Sequence, residues 1–354
     1  MTEIALLDVI VIGGAQAGLS AGCELSRHGL RFVILDAEAR TGDGWRRRWD
    51  SLRLFTPARY SGLPGLPFPG PPYHLPSKDE VADYLEQYAR HFRLPVRLDS
   101  RVRAVRRAPW GFEVETGDEV LRAANVIVAT GPFQRSRIPA FAAELDPGIV
   151  QLHSSEYRNP PQLPPGHALV VGAGNSGAQV AIELAATRRV RLAGRDTGRI
   201  PRRLLGRDIY DWIWPILGLS VDSRLGRRMA ARMARHGDPL VGITQDDLAA
   251  AGVERTGRVV GVRDGLPLLD GGVAADVRSV IWSTGFKPDL SWLDLPALDE
   301  RGRPMHRRGI SPVPGLYFLG QRLQARLGSS LIGGVGRDAR EVVAHIANRH
   351  PSGV

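Results

Sequence analysis

The apolar positions fall into two kinds of run. Short unbroken apolar blocks, each closed by glycine, alternate with longer stretches whose apolar residues recur every three or four positions. Residues 8–18 read DVIVIGGAQAG and residues 167–177 read HALVVGAGNSG. Each predicts a buried strand, a glycine turn and a helix of small residues, the helices covering 19–28 and 178–187. VIVATG at 126–131 and VIWSTG at 280–285 predict two more strands, each ending in Thr-Gly. Residues 78–92 carry helical spacing at Val81, Tyr84, Leu85 and Tyr88, with Ser77 as its cap and Glu80 three residues on. Residues 96–107 and 111–120 predict the strands of a hairpin layer, 63–72 and 160–166 are Pro/Gly-rich loops, 208–243 an insertion of helices, and 337–350 a final helix.

The two glycine blocks are related by one offset of 159 residues, which carries Gly13 onto Gly172, Gly18 onto Gly177 and Asp36 onto Arg195. Both charged residues follow a second apolar strand, at 32–35 and 190–193. A lone glycine fingerprint is weak; two in register, each with a charge at matching distance, predict an α/β protein with two Rossmann-like, three-layer dinucleotide-binding domains. The order of landmarks places the first domain at 1–135 plus 286–354. The second is inserted at 150–285, its helical insertion covers about 205–245, and hinges fall at 132–139 and 287–289.

The charges separate the two sites. In the first, Gly13 makes the turn, Ala15 stands where a middle glycine is usual, Gly18 allows close helix packing, and Asp36 can accept from ribose hydroxyls. A carboxylate there repels a 2′-phosphate, which favours FAD or NAD over NADP. The second keeps Gly172, Gly174 and Gly177 and ends on Arg195, a planar cation suited to phosphate, with Arg202 and Arg203 near; this predicts NADPH.

Composition narrows the reading further. The formal charge is +10, but Lys78 and Lys287 are the only lysines and the arginines are dispersed, so nucleic acid is not an expected partner. The single cysteine, Cys23, excludes an intramolecular disulfide and any CxxC redox pair. No signal-peptide pattern opens the chain, so a cytoplasmic location is expected. IYDWIWPILGL at 209–219, with Arg224 to Arg235 beside it, fits helices packed on the core, a tunnel lining or, less favoured, a membrane-surface contact. A homodimer is compatible with the sequence, which specifies no interface. The histidines and carboxylates show no metal-ligand spacing, and no metal is expected.

These motifs resemble the class B flavin monooxygenases, which include flavin-containing monooxygenases, Baeyer–Villiger monooxygenases and N-hydroxylases, and above all the bacterial CzcO-like flavoproteins. The resemblance rests on GGAQAG at 13–18, GDGWRRRWDSLRLFTP at 42–57, ATG at 129–131, HSSEY at 153–157, GAGNSG at 172–177, STGFKPD at 283–289 and GLYFLG at 315–320. The signature F-x-G-x-x-x-H-x-x-x-[W/Y] is met in part by Gly148, His153 and Tyr157; its phenylalanine is absent and the Gly-to-His spacing is one residue long. The resemblance implies FAD along Gly13, Ala15, Gln16, Ala17, Gly18, Asp36, Ala37, Gly44, Trp45, Arg46, Thr56, Ala129, Thr130, Gly131, Gly320 and Leu331. It implies NADPH along Gly172, Gly174, Asn175, Ser176, Gly177, Arg195, Thr284 and Gly285. The chemistry would be flavin-centred, with NADPH as reductant, O2 as co-substrate and a C4a-(hydro)peroxyflavin as the oxygenating species. No catalytic side chain is firmly assigned; His153 and Asn175 are candidates. The substrate would be a small organic molecule, with N- or S-oxygenation or hydroxylation favoured over Baeyer–Villiger chemistry. An NADPH-dependent flavin oxidoreductase without oxygenation, or an NADPH-sensing flavoprotein, is the alternative.

Overall fold

The computed structural model describes residues 6–117, 119–236 and 238–349. Two sheets organise them. The first has strands β1 (Leu6–Ile12), β2 (Phe32–Leu35), β3 (Val96–Arg97), β4 (Ala104–Ala108), β5 (Gly111–Glu115) and β6 (Val120–Val128) in the order β3-β2-β1-β6-β5-β4. The second is wholly parallel. It contains β7 (Val150–His153), β8 (Ala168–Val171), β9 (Val190–Ala193), β10 (Val253–Thr256) and β13 (Ser279–Trp282), in the order β10-β9-β8-β13-β7. A separate hairpin, β11 (Val259–Arg263) with β12 (Leu266–Leu269), precedes β13. A last strand, β14 (Leu316–Phe318), returns to the first sheet beside the end of β6.

The central strands are apolar throughout because both faces are covered. Every residue of β8 and of β13 is buried. Helix α1 (Gln16–Arg27) follows β1, and α3 (Asn175–Ala185) follows β8. Between them lies α2 (Lys78–His91), capped as predicted by the reciprocal Ser77–Glu80 box. The insertion holds α4 (Ile209–Leu217) and α5 (Arg224–His236), then α6 (Gln245–Ala250) leads into β10. The closing helix α7 (Val335–Arg349) packs beside α1; its predicted last residue, His350, lies outside the described residues, as do residues 1–5.

The predicted hairpin layer needs correction. Residues 96–107 do not form one strand: β3 and β4 are separated by non-strand residues, and β4 and β5 extend the first sheet itself. The bridging element is β6, longer than the VIVATG run. Its first half pairs antiparallel with β5, its last three residues pair parallel with β14, and β1 runs along its other edge. The chain leaves the first sheet through 132–139 and returns through 286–289. Arg135–Ser136 and Phe286–Lys287 pair there as an antiparallel ribbon.

Helix α4 is anchored through its first turn and Trp214, while Trp212 and Ile216 are exposed. Ile209 and Tyr210 are buried, Trp214 lies 4.9 Å from the Tyr60 ring, and Asp211 accepts hydrogen bonds from Tyr60 and Tyr73. No helix among the described residues is long and apolar enough to cross a membrane.

Candidate functional site

Register brings the chemistry to one edge of each sheet. Ile12 is level with Leu35 and Val128, so Gly13, Asp36 and Ala129 emerge side by side. Val171 is level with Ala193 and Trp282, so Gly172, Gly194 and Ser283 do the same in the second sheet.

The glycines follow from close approach of backbones. Gly13 has φ +109° and a Cβ there would lie 2.8 Å from the Ala129 carbonyl oxygen; Gly172 has φ +112° and the corresponding distance, to Ser283, is 2.2 Å. At Gly18 and at Gly177 a Cβ would come within 1.8 Å of the carbonyl oxygen of the turn's first glycine. Gly174 differs: nothing of the protein lies within 4 Å of a Cβ placed there, so the fold itself does not demand its glycine. Ala15 occupies the equivalent place in the first turn. Ala15 and Gly174 are also the N-caps of α1 and α3, and neither cap is satisfied by a side chain. The amides of both first turns are therefore left without a side-chain cap, the arrangement that receives a pyrophosphate.

Asp36 folds back onto the first turn. Its Oδ2 accepts the Gly14 N–H at 3.1 Å and its Oδ1 accepts the Glu38 N–H at 3.2 Å. Burial pushes its pKa above the ordinary carboxylate value, against the lowering effect of these hydrogen bonds. Ala37 continues this turn. Thr130, beside the Gly13 turn, has a buried hydroxyl with no partner, and Ser283, beside Gly172 and Gly177, has another. Orphaned hydroxyls at both strand ends, open helix caps and a carboxylate with lone pairs to spare fit two nucleotide pyrophosphates and one ribose.

Around the first turn, Trp45 Nε1 donates to Gln16 Oε1 at 3.4 Å, tying the helical turn Asp43–Arg46, with Gly44, to the start of α1. Gly320 (φ +80°) sits where a Cβ would come within 2.9 Å of the Ala17 Cβ. Thr56 is buried and bonded to Ser61, and Leu331 lies in the tight turn before α7. Gly131 (φ +70°) follows Thr130. Arg46, expected along the flavin, is not brought to this group by its charge. Its guanidinium is held by the Thr41 carbonyl, Asp43, Asp83 and Glu86 on the α2 side.

In the second site Ser176 is exposed beside Gly177. The Asn175 side chain is engaged elsewhere in this structure: Nδ2 donates to the Pro239 carbonyl and Oδ1 accepts the Val241 N–H, both at 3.0 Å, so it clamps the strand that follows α5. Arg202 is spent on the Phe55 carbonyl and Asp208, each at 2.7 Å, and Arg203 is exposed. Arg195 is exposed and lines a cavity of about 540 Å³ with Arg137, Pro139 and Thr284.

His153 is fully buried at the end of β7, against the ribbon. Nε2 lies 3.0 Å from the Gly285 carbonyl and Nδ1 lies 2.8 Å from Ser155 Oγ and 3.2 Å from the Ser155 N–H. A carbonyl only accepts and an amide only donates, which fixes a neutral ring protonated at Nε2. Burial holds its pKa below the ordinary value. Both ring nitrogens are committed in this structure, and the Nε2 contact ties His153 to the second Thr-Gly turn. Tyr157 is equally buried and donates to Glu183 at 2.8 Å.

Two residues went unnoticed in the sequence. Arg137 reaches the second cavity from the ribbon. Arg48, from GDGWRRRWD, is partly buried, its guanidinium 5.4 Å over the Phe286 ring with no hydrogen-bond or ion-pair partner among the described residues; burial, then Arg158 and Arg47, press its pKa down. No group of three metal-ligating side chains is found among the described residues.

A family model for pyridine nucleotide-disulphide oxidoreductases matches residues 10–223. A CzcO-like oxidoreductase of Geobacillus kaustophilus is 43% identical over 97% of this chain and 99% of its own length. The probable indole-3-pyruvate monooxygenase YUCCA7 of Arabidopsis thaliana is 27% identical, covering 96% of this chain and 87% of its own. The flavin-containing monooxygenase of Stenotrophomonas maltophilia superposes with a TM-score of 0.81 at 30% identity, over 97% of this chain and 98% of that one.

Proposed function

The chain belongs to the CzcO-like oxidoreductases within the class B flavin monooxygenase superfamily and is a flavoprotein enzyme; from this premise we propose that it seats FAD on the first glycine turn and NADPH on the second, and oxygenates a small organic substrate. The FAD lobe is then 1–135 with 286–354, and the NADPH lobe is inserted at 150–285. The observation that carries the reading is the duplicated cradle with opposite charges. A carboxylate folds onto the first turn through Gly14, and an unpaired guanidinium faces the cavity beside the second.

Bound flavin would supply the redox chemistry, passing reducing equivalents from NADPH to O2. The chain's residues hold and orient. The first-turn amides of α1 and α3 receive the two pyrophosphates, Asp36 takes the adenosine ribose of FAD, and Arg195 takes the 2′-phosphate of NADPH. The lobes are held face to face by Gln179, which exchanges two hydrogen bonds with the Arg53 backbone, and by Arg202 on the Phe55 carbonyl. Helix α4 closes over Tyr60 and the 328–333 turn, placing apolar cover on that side. Cys23 is buried and alone, so dithiol exchange within the chain is excluded. The soft nitrogen or sulfur of an amine or thioether, or a carbon to be hydroxylated, is the favoured target.

The test is direct. Purified protein is expected to be yellow, to bleach with NADPH without air, and to place labelled oxygen from O2 into a product during substrate screening. Protein that stays colourless after incubation with excess flavin would overturn the reading. NADPH oxidation with peroxide as its sole oxygen product would replace it with a flavin reductase.

A further inference from the structure

The cavity beside Arg195 has a second cation that the duplicated motif does not supply. Arg137 comes from the ribbon linking the two sheets, and both arginines lie on the wall of the same recess of about 540 Å³. Neither guanidinium has an ion-pair or hydrogen-bond partner among the described residues. Two unpaired like charges facing one recess are matched when an anion enters it.

The backbone of Arg137 is not loose. Its N–H donates to the Gly285 carbonyl at 3.0 Å, and its own carbonyl accepts the Thr284 hydroxyl. The Gly285 carbonyl also accepts from His153 Nε2, so both its lone pairs are used. The linker is therefore fixed to the carboxyl edge of the second sheet at the point where Arg195 emerges. Asp196, the acid next in sequence, is turned away: it accepts the Gly198 N–H at 2.8 Å and pairs with Arg199.

We propose that Arg137 is a second ligand for the 2′-phosphate of NADP(H), clamping it opposite Arg195, so that the choice of NADPH over NADH is divided between the inserted lobe and the linker. This rests on the reading that NADPH occupies the second turn. A phosphate dianion offers each planar guanidinium a paired set of oxygens, whereas NAD presents a neutral hydroxyl there.

The experiment uses flavin-loaded full-length protein and calorimetric titration with NADP⁺, NAD⁺ and 2′,5′-ADP. Arg137→Ala is expected to weaken NADP⁺ and 2′,5′-ADP by about 10- to 100-fold and NAD⁺ by less than about 3-fold, as for loss of a charge-assisted contact. Arg137→Lys should recover part of the difference, which separates charge from damage to the linker. If Arg137→Ala binds NADP⁺ as the parent does while Arg195→Ala fails to, the proposal falls and the NADPH reading stands. Equal loss of NADP⁺ and NAD⁺ in Arg137→Ala also overturns it. A parent protein that does not distinguish the two nucleotides removes both.

Discussion

The sharpest expectation contrasts two glycines three residues apart. A Cβ at Gly177 would lie 1.8 Å from the Gly172 carbonyl oxygen, about 1.6 Å short of ordinary contact, and the obstacle is backbone in the turn itself. Alanine gains about 1 kcal/mol of helix propensity over glycine, but overpacking costs about 1–3 kcal/mol even where side chains can adjust. Here the strand-to-helix turn must open, so the upper end applies and Gly177→Ala should lose about 2 kcal/mol net. At about 2–4 °C per kcal/mol, melting should fall by about 4–8 °C. Gly174→Ala meets nothing within 4 Å and should melt within about 1 °C of the parent. Its effect belongs to the ligand: if the pyrophosphate passes over this backbone, a methyl group there weakens NADP⁺ by about 10-fold or more. Scanning calorimetry with and without NADP⁺, followed by titration, reads both variants. A Gly177→Ala protein with unchanged melting would refute the packing argument. A Gly174→Ala protein with parental NADP⁺ affinity would show that no phosphate crosses the turn there.

Two further outcomes follow from charge. His153 is held below its ordinary pKa of 6.5, so its neutral burial stabilises the fold above about pH 6.5, and that contribution is lost as pH falls from there toward the folded value. His153→Gln should flatten part of the fall in melting temperature between about pH 6.5 and 5, leaving the share of His306, which burial shifts the same way; an unchanged pH profile would show that His153 is not buried as described. Arg48 is a partly buried cation with no ion-pair partner among the described residues. Arg48→Met keeps the stem against Phe286 and should raise the melting temperature of nucleotide-free protein by about 2–6 °C, whereas a lower value would reveal a compensating partner.

The parts legible in the sequence are those that backbone geometry or full burial dictates. The turns at Gly13 and Gly172 need left-handed φ, and Gly18 and Gly177 need close approach, so few residue types can stand there. ALVV and SVIW read as strands because both of their faces are buried. The strands that escaped notice in the second sheet, Val150–His153 and Val253–Thr256, are its two edges. Edge positions are only half covered, so VQLH and VERT carry polar residues that blur the apolar run. Side-chain direction was the other gap. Asn175 sits at the helix start where a ligand contact is expected, but its amide clamps residues 239 and 241, more than sixty positions away. Arg46 lies in a motif of three arginines, and nothing local says that Asp83 and Glu86 on the next helix will claim it. Arg137 became visible as a site residue only once the course of the linker was known.

The duplication also shows why the two sites are not interchangeable. In the first turn a Cβ on Gly14 would strike the Asp36 carboxylate at 2.5 Å, so the residue after Gly13 must be glycine for the carboxylate to fold onto its amide. In the second, Ala173 stands at that place, and the sheet register puts Gly194 where the first site has Asp36, with Arg195 one residue further on. Gly194 has φ +145°, and a Cβ there would come within 2.8 Å of the Ala173 amide nitrogen. The same small space is kept open in both sites, but by glycine on opposite sides of it. With glycine in the turn, the charged residue after the strand can curl inward and accept from the backbone. With glycine at the strand end, the chain can pass close over the turn, and the charged residue continues outward to the cavity it shares with Arg137. Trading Asp36 and Arg195 alone would therefore leave each charge on a backbone built for the other. The neighbouring glycine has to move with the charge, so under the proposed assignment of FAD and NADPH the pair, rather than the charged residue by itself, would be the unit that distinguishes one dinucleotide from the other.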